Sequence, residues 1–478
     1  MKTGFVALAL FLPPVFQAEV FAQENKTLPN LAEALTSKHD VWGMAAMRET
    51  NGPSYEFFEK LLPPLRYVNA DFRYYPFVLS APNAAVKARL VSNGSAINAF
   101  AKLKTWKEVG TPLLFFVGAE QKPFGERSES LDGPCYERGY LPIVQIDYHS
   151  GDATYHEETF ASIDWTNNAV LFTRFSLREG KSGTVSTRIA TNAALHSVGN
   201  KICDDQNRVL LSFDKGWRWD AEQKTLTAQL SSRHDATLAI ATIPFDSTNN
   251  WLNASDFNAQ KKKCVAKWEQ ILSHAMRVEV PEPIVNAAWK SCLVNSFLLS
   301  KNDHMNYSAG NAYEVMYEAE SGDNVRALAM WRLRDDARKM IPPLLDYGID
   351  PGLKFHDAAF KLQLLAHFFW LTRDEALVRA QKTRWLRDVE ILTRERDAAT
   401  GLLPKENYCG DEFEKVFSLN ANANGWRGLR DISAVLEEIG EREEAGRIRT
   451  MAGKLREATL AAVEKSEARD VQPPFIPV

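Results

Sequence analysis

The hydrophobic pattern of the chain changes between residues 249 and 281, and this change separates two regions of different structure. From 64 to 249, short runs of alternating apolar and polar residues lie between turn residues such as Asn93 and Gly94. Alternation of this kind is typical of strands that bury one face. From 281 onwards, apolar residues recur with the period of about 3.6 that indicates amphipathic helices. The pattern predicts a multidomain β plus α protein, in which an antiparallel β-sandwich precedes a helical domain.

The strand pattern is clearest at 185–189 and 226–230, where apolar and polar residues alternate without interruption. Further runs of strand-forming residues lie at 87–92, 113–117, 143–148, 170–177, 208–213 and 237–243. The sequence pattern shows no helical segment between these runs, so neighbouring strands are predicted to pair antiparallel. The sandwich domain is therefore expected at 64–249.

The segments on either side of the sandwich have other compositions. Residues 1–22 begin with Lys2, continue as a mostly apolar run and end at Ala22, which indicates a cleaved export signal. This run is too short to cross a bilayer, so the mature protein is expected to be secreted or periplasmic, without a membrane partner. Residues 23–63 form a polar lead-in, and residues 250–280 are predicted to form a linker helix and an entry strand.

The helical region, 281–478, combines seven predicted helices with three long connections. The helices are predicted at 282–300, 322–333, 334–346, 355–372, 375–394, 420–439 and 441–465. The long connections are 302–321, 347–354 and 395–419. In a toroid of alternating inner and outer helices, long loops that precede alternate helices gather on one side. The second, fourth and sixth helices are therefore predicted to be the inner ones, with a ligand site above their N-terminal ends.

Charge and motif content exclude several kinds of partner. The 57 Lys and Arg residues nearly balance the 61 Asp and Glu residues, so the net charge of −4 predicts no binding of nucleic acid. The spacing of Cys and His fits no zinc site, and no Gly-rich phosphate loop occurs, so neither metal nor cofactor is expected. The five cysteines leave two interpretations open, which are at most two disulfides or five reduced and buried thiols.

Three short motifs in the helical region resemble the glucoamylase-like group of six-hairpin glycosidases. The first is Gly-Leu-Leu-Pro at 401–404, followed by an acidic loop and by Asn-Gly-Trp-Arg-Gly-Leu-Arg at 424–430. The second, at 321–328, resembles the start of the first inner helix of these proteins, and the third, at 368–374, resembles the end of the second. The order of sandwich, linker helix and α/α domain is similar to that of the bacterial members. The resemblance implies an (α/α)6 toroid, of which this chain holds the first part.

The resemblance also implies inverting hydrolysis of a glycosidic bond by two carboxyl groups on opposite sides of the sugar. One carboxyl group protonates the leaving oxygen and the other activates water, at a separation of ~6.5–9.5 Å. In the glucoamylase-like group, the general acid lies in the loop after the Gly-Leu-Leu-Pro-like stretch. By this resemblance, Glu406 and Asp411 are candidates for the acid, with Glu412 as the third. The relatives usually carry a Trp-Glu pair in this loop, and this chain does not.

The loop 302–321 corresponds to the loop that grips the sugar at the cleavage point in those relatives. Carboxylates accept hydrogen bonds from sugar hydroxyls, and tyrosines stack on sugar rings or donate to them. Glu318 and Glu320 would face the same way if the loop is extended. The predicted sugar-binding residues are Asp303, Tyr313, Tyr317, Glu318, Glu320, Tyr408 and Trp426.

Several polar and aromatic residues also have a purely structural interpretation. Asp323 is predicted to cap the helix that begins at 322, and Trp426 fits the core as well as a sugar platform. His356 belongs to no metal-ligand pattern and is expected in the core or on the surface. In the sandwich, Glu157 and Glu158 are expected to be packed or solvated rather than to contact a ligand.

Two functions of different classes follow from these features. The first is a glycoside hydrolase-like enzyme acting on an oligosaccharide or glycan, and the alternative is a non-catalytic carbohydrate-binding or truncated glycosidase-like protein. A structural helical repeat is disfavoured, because it does not need connections of about 20 residues rich in Tyr, Glu and Asp.

The number of predicted helices bears on catalysis. A closed six-hairpin toroid has twelve helices, and in the relatives the general base comes from the second half of the ring. We therefore expect either a second chain that completes the toroid or a fragment with little turnover. If this chain turns over substrate alone, Glu318 or Glu320 becomes the leading candidate for the base.

Overall fold

The computed structural model describes residues 28–61, 75–99, 109–246, 252–469 and 476, and the structural statements below refer to these residues. The predicted export signal lies outside them. The chain divides into two compact units, Met1–Phe72 and Arg73–Val478. In the described part of the first unit, side-chain caps begin three short helices, which are α1 Leu31–Thr36, α2 Val41–Ala46 and α3 Tyr55–Glu59.

The second unit begins with two antiparallel sheets, each of eight strands in the described residues. The strands of the first sheet are β1 Pro76–Leu79, β2 Ala88–Val91, β3 Ala96–Ile97, β4 Leu113–Val117, β5 Lys122–Pro123, β10 Ser182–Ile189, β14 Trp217–Asp220 and β15 Thr225–Ser231. They lie in the order β1–β2–β3–β4–β10–β15–β14, and β5 pairs with β4.

The strands of the second sheet are β6 Leu131–Glu137, β7 Leu141–Ser150, β8 Ala153–Ala161, β9 Val170–Glu179, β11 Leu195–Val198, β12 Lys201–Asp204, β13 Val209–Phe213 and β16 Ala236–Phe245. They lie in the order β11–β12–β13–β16–β9–β8–β7–β6. The predicted β-sandwich is therefore confirmed.

Aromatic side chains fill the space between the two sheets. Phe115 of β4 meets Phe175 of β9 edge to face, with ring centroids 5.0 Å apart. Trp217 of β14 is buried beside Phe175 and donates its Nε1–H to the carbonyl oxygen of Thr237 at 3.0 Å. These rings pack among the Leu, Ile, Val and Ala side chains that make up most of the sandwich core.

Strand β8 is buried along its whole length, although its central residues are polar. Glu158 pairs with Arg174 at 2.5 Å and with Lys261 of the following helix. Glu157 is completely buried and accepts a hydrogen bond from the Thr159 hydroxyl at 3.0 Å, and burial raises its pKa to about 8. Both carboxyl groups are therefore packed rather than solvated, and the solvated alternative is wrong.

Helix α4, Phe257–His274, joins the sandwich to the helical region through one apolar core. Phe257 meets Phe160 and Phe172 of the second sheet edge to face, with centroids 5.2 and 6.5 Å apart. Trp268, further along α4, is buried in the same core, which continues into the helices that follow. The second sheet is thus covered on both faces.

Eight helices follow α4 in the described residues. They are α5 Pro283–Leu299, α6 Glu318–Met330, α7 Arg334–Asp346, α8 Lys354–Thr372, α9 Glu375–Ala380, α10 Lys382–Arg394, α11 Leu419–Glu438 and α12 Arg442–Ser466. Two differences from the prediction stand out. Helix α6 begins at Glu318, four residues before the predicted start at 322, and the helix predicted at 375–394 is interrupted at Gln381.

The helices form inner and outer layers. Helix α8 packs between α6 and α11, and these three are the helices predicted to be inner. Helices α7 and α10 pack against α8 from outside, and α12 packs against α11. Within the described residues, no helix is both long and apolar enough to cross a membrane.

Gly428 marks the closest approach of α8 and α11. A Cβ atom built on Gly428 would stand 2.9 Å from the carbonyl oxygen of Ala359 and 3.3 Å from its Cα. Both of these atoms belong to the backbone, so no change of rotamer could relieve the overlap. The absence of a side chain at this position therefore sets the spacing of two inner helices.

We predict that Gly428→Ala lowers the free energy of unfolding by ~1–3 kcal/mol, as overpacking does. Gly453 of α12 is the matched control, because a Cβ atom there meets nothing within 4 Å. Gly453→Ala should keep or raise stability through its better helix propensity. Thermal unfolding followed by circular dichroism measures both. Equal melting temperatures for the two variants would show that α8 and α11 do not pack this closely.

Candidate functional site

A cavity of about 480 Å³ lies where the N-terminal ends of α6, α8 and α11 meet the loops that precede them. This volume is within the range of ~300–1,000 Å³ that is usual for small-molecule sites. The polar and aromatic residues that line it are Tyr307, Tyr313, Tyr317, Glu318, Glu320, Tyr347, Asp350, His356, Asp357, Glu406, Tyr408, Cys409, Asp411, Ser418 and Asn420.

Three tyrosines form one wall of the cavity. Tyr307 meets Tyr313 and Tyr317 edge to face, with ring centroids 6.1 and 5.5 Å apart. The Tyr307 N–H donates to the carbonyl oxygen of Val315 at 2.8 Å, which closes the loop into a compact turn. All three rings are partly exposed, so this wall offers aromatic faces and hydroxyl groups to a ligand.

The sandwich holds this tyrosine loop in place. Arg89 of β2 is buried and pairs with Glu314 of the loop at 2.5 Å. The same carboxylate accepts a hydrogen bond from the Gly310 N–H at 3.0 Å. Lys87, immediately before β2, donates to the carbonyl oxygens of Leu298 and Leu299 at the end of α5. One sheet edge therefore fixes the wall of the cavity against the helical region.

Glu318 occupies the first turn of α6 and is almost completely buried. Its Oε1 lies 3.2 Å from the Nζ atom of Lys361, a buried residue of α8. Burial and the neighbouring Asp357 carboxyl raise the pKa of Glu318 to about 7, although Lys361 opposes the shift. The carboxyl group can therefore exchange a proton near neutral pH.

Glu406 also lines the cavity and lies on the two-residue strand β19 Glu406–Asn407, which pairs with β20 Lys415–Val416. Its Oε2 accepts a hydrogen bond from the Phe355 N–H in the first turn of α8 at 2.8 Å. Burial raises the pKa of Glu406 to about 7, and this backbone bond opposes the rise. Glu406 is thus a second carboxyl group that titrates near neutral pH.

Asp357 lies near both of these glutamates, in the first turn of α8. Its Oδ2 accepts a hydrogen bond from the Asp350 N–H at 2.9 Å. Burial raises the pKa of Asp357 to about 6, and its charge contributes to the raised pKa of Glu318 and of Glu406. Among the described residues that line the cavity there is no Lys or Arg, so its surface is strongly acidic.

An apolar hollow of about 420 Å³ adjoins the cavity between the 416–419 segment and α12. It shares Tyr408, Ser418 and Asn420 with the cavity and is otherwise lined mainly by side chains such as Phe417 and Val463. Its described lining contains no carboxyl group, so acid–base chemistry belongs to the cavity and not to this hollow.

The structure brings most of the predicted site residues together. The cavity contains the predicted acids Glu406 and Asp411 and five of the predicted binding residues. These five are Tyr313, Tyr317, Glu318, Glu320 and Tyr408. Their catalytic and binding roles remain predictions at this point.

Three of the predicted residues lie elsewhere. Asp303 sits in the exposed turn between β17 Ser300–Lys301 and β18 His304–Met305, where it contacts His304 at 2.5 Å. Glu412 is exposed at the tip of the loop between β19 and β20, outside the cavity lining. Trp426 packs against the core of the helical region, with Arg430 over its ring at 4.9 Å.

Two structural expectations about the same elements were wrong. Tyr317 and not Asp323 occupies the N-cap position of α6, and Asp323 pairs with Arg326 inside the helix at 3.0 Å. Glu318 and Glu320 lie in a helical turn and not in an extended segment, although both reach the cavity.

Sequence reasoning missed the residues that α8 contributes. His356 lines the cavity, with its ring 4.6 Å from that of Phe360 and its Nδ1 atom 3.3 Å from the Asn420 side chain. Burial lowers its pKa. Asp357 and Lys361 were also missed. The sequence did carry a signal for them, because an acidic and a basic residue stand four positions apart on a helix that is otherwise mainly apolar.

The five cysteines are all free, so the disulfide alternative does not hold in this structure. Cys203 and Cys264 are buried, whereas Cys135 and Cys292 are exposed. Cys409 lines the cavity beside Tyr408.

No protein-family model and no curated protein matches the sequence. Among solved structures, the chain is similar to a bacterial glucoamylase complexed with acarbose, with a TM-score of 0.57 and 12% identity over 80% of this chain and 66% of that one. This likeness shows that the chain has a six-hairpin glycosidase-like fold with an N-terminal β-sandwich. The chain spans about two thirds of the length of that glucoamylase.

Two further structures resemble the chain more distantly. A family 92 glycosyl hydrolase has a TM-score of 0.37 and 12% identity over 80% of this chain and 72% of that one. A rhamnosidase from Klebsiella oxytoca with rhamnose bound has a TM-score of 0.31 and 11% identity over 82% of this chain and 64% of that one. The fold assignment rests on the glucoamylase.

We predict a pH-dependent stability effect at Glu406. Its pKa is raised from 4.5 to about 7, so the folded state holds this proton more tightly than the unfolded chain does. The raised pKa therefore stabilises the folded state fully below pH 4.5, and this stabilisation is lost as the pH rises to 7. The loss reaches about 3 kcal/mol, because each unit of pKa difference corresponds to about 1.4 kcal/mol. Glu406→Gln keeps an acceptor for the Phe355 N–H but does not ionise. Its free energy of unfolding should therefore rise relative to that of the wild type as the pH increases from 4.5 to 7.

Urea unfolding at pH 4.5 and at pH 7 measures this change in relative stability. Glu412→Gln is the matched control on the same loop, because the Glu412 side chain is exposed and its difference from wild type should stay flat. A flat difference for Glu406→Gln as well would mean that Glu406 is not buried as a protonated acid.

Proposed function

We propose that this chain is a glycoside hydrolase-like protein that binds an oligosaccharide or glycan in the cavity and hydrolyses a glycosidic bond there. The observation that carries the proposal is the composition of this one cavity, in which six carboxyl groups and five tyrosines surround the ends of three inner helices. Tyrosines offer rings and hydroxyls to sugars, and carboxylates accept hydrogen bonds from sugar hydroxyls. Hydrolysis needs one protonated and one ionised carboxyl group.

Glu406 has the properties of the proton donor. Its carboxyl group is buried and its pKa is about 7, so a large fraction is protonated at neutral pH. The Phe355 N–H donates to Oε2 and holds the carboxyl group in place in the cavity lining. Transfer of this proton to the glycosidic oxygen, as the bond to the anomeric carbon breaks, releases the leaving sugar as an alcohol.

Glu318 is our candidate for the base. Its carboxylate, beside the Lys361 ammonium, would take a proton from a water whose oxygen attacks the anomeric carbon. Such attack from the opposite face inverts the configuration of the sugar. Asp357 is the alternative base, because it lies near both glutamates and its pKa is about 6. The exposed carboxylates of Glu320 and Asp411 would accept hydrogen bonds from sugar hydroxyls.

We predict that Glu406→Gln and Glu318→Gln each lower kcat/KM at least about a hundredfold, the minimum usually lost with a general acid or base. Residues 23–478 are assayed against a panel of glycans for both cleavage and binding. Binding should change much less than cleavage, because glutamine keeps the shape of the side chain and most of its hydrogen bonds.

Glu412→Gln is the control, because Glu412 lies on the same loop as Glu406 but outside the cavity lining. It should leave kcat/KM unchanged. Turnover that survives both Glu406→Gln and Glu318→Gln would contradict the proposed roles. Turnover that appears only with a second chain would instead support the predicted completion of the toroid.

One observation favours a second candidate function, which is glycan binding without cleavage. The Glu406 carboxyl already satisfies a backbone N–H at the start of α8, and the Glu318 carboxyl already pairs with a buried ammonium. Both contacts also have a purely structural use. A protein that binds glycans from the panel but cleaves none of them, with or without Glu406→Gln, would have this second function.

A further inference from the structure

Lys361 lies beneath the cavity on α8, and its side chain is only 1% exposed. Its Nζ atom donates to the carbonyl oxygen of Tyr347 at 2.6 Å and lies 3.2 Å from Oε1 of Glu318. A buried ammonium is tolerated only when it is paired and hydrogen-bonded. These two contacts therefore fix the ammonium directly under one carboxyl group of the cavity.

Acidic groups face this ammonium from three helices. Glu318 comes from α6, Asp357 precedes Lys361 by one turn on α8, and the completely buried Asp388 comes from α10. Burial raises the pKa of each of these three carboxyl groups, and the charge of Lys361 lowers it in each case.

The loop before α8 and the neighbouring turn of α6 complete the surroundings. Tyr347, Asp350 and Glu320 line the same cavity. Burial and then Glu318 raise the pKa of the Tyr347 hydroxyl, whereas Asp350 and Glu320 contribute to the raised pKa of Asp357. These groups are neutral or negative, so none of them replaces the positive charge of Lys361.

The other positive side chains nearby are engaged elsewhere. Arg387 of α10 reaches Asp388 at 3.3 Å, but it is 44% exposed and donates to the carbonyl oxygen of Leu345 at 2.6 Å. Arg384 pairs with Asp346 at the end of α7. Within the described part of the chain, Lys361 is the one positive group in an ion pair with Glu318. Glu406 has no ion-pair partner there, although the charge of Lys415 on β20 acts to lower its pKa.

We propose that Lys361 is a positioning residue that divides the two roles of hydrolysis between Glu318 and Glu406. Its ammonium favours the ionised, proton-accepting form of Glu318 against the burial that opposes it, whereas Glu406, bound through Oε2 to a neutral backbone N–H, has no ion-pair partner among the described residues and donates its proton. This inference rests on the proposed function and deepens it, because it identifies Glu318 as the base from the buried Lys361 ammonium beside that residue.

The direct test is a pH titration of the carboxyl carbons in ¹³C-glutamate-labelled protein, with Glu318 and Glu406 each assigned by its Gln variant. Lys361→Met keeps the length of the side chain and removes its charge. The Glu318 midpoint should rise by about one pH unit or more in this variant, and the Glu406 midpoint should move less. Lys382→Met removes an exposed charge from α10 and should move neither midpoint.

Turnover gives an independent measurement. The acidic limb of the kcat/KM profile reports the base and the alkaline limb reports the acid. In Lys361→Met, the acidic limb should move to higher pH by the same amount as the Glu318 midpoint, with the alkaline limb in place. A purely structural role for Lys361 would lower kcat/KM at every pH and leave both limbs where they are.

The outcomes separate this inference from the proposed function. An unchanged Glu318 midpoint in Lys361→Met overturns the inference, whether or not the protein turns over. A raised midpoint in a protein that cleaves no glycan supports control of Glu318 by Lys361 and overturns hydrolysis instead. If Lys361→Met does not fold, Lys361→Met/Asp388→Asn removes a buried carboxyl together with the ammonium. Compared with Asp388→Asn alone, it should show the same rise, and no rise would overturn the inference.

Discussion

The apolar contact of helix α4 with the outer face of the second sheet is the interaction on which the cavity depends. Phe257 lies against the rings of Phe160 and Phe172, and the Arg174 guanidinium covers its other side at 4.4 Å. Polar contacts surround this apolar centre, such as the bond between Ser162 and Gln260 at 2.9 Å. Because this face is buried, the sandwich and the first helices of the toroid cannot separate without exposing it to water.

This rigid connection lets a strand of the sandwich position a loop of the helical region. The buried pair of Arg89 and Glu314 would cost stability if the loop moved away, because it would leave a charge without its partner. The tyrosine wall of the cavity therefore depends on a strand more than two hundred residues earlier in the chain. The sandwich shapes the site, although the described cavity lining takes no carboxyl group from it.

The sequence predicted those elements whose burial follows a simple period. The strand around 226–230 alternates apolar and polar residues, and the helix at 334–346 repeats apolar residues every three to four positions, as one-sided burial requires. Strand β8 escaped prediction, because both of its faces are covered and Glu158 is paired with Arg174 and Lys261, which are far away in sequence. The early start of α6 escaped as well, since its first turn carries acidic residues that helix ends favour but apolar periodicity does not reveal.

The sequence predicted those residues of the candidate site that lie in motifs or in loops of unusual composition, and it did not predict the others. The acidic loop after Gly-Leu-Leu-Pro directed attention to Glu406, and the tyrosine-rich loop led to Tyr313 and Tyr317. Asp303 lies in the same loop but faces away, because the turn between β17 and β18 reverses the chain before it reaches the cavity. The contribution of α8 depends on which face of a mainly apolar helix points at the cavity, and only tertiary packing decides that.

The electrostatics of the cavity combine two opposed effects at the same helix ends. The positive ends of α6, α8 and α11 favour negative charge, as the bond from the Phe355 N–H to Glu406 illustrates. Burial disfavours negative charge, and burial is the larger effect at Glu318 and Glu406, whose pKa values rise to about 7. A ligand with its own negative charge would meet these carboxyl groups without a Lys or Arg in the described lining to offset them. A neutral ligand rich in hydroxyl groups meets no such cost, because its hydroxyls can donate to the carboxylate oxygens that line the cavity.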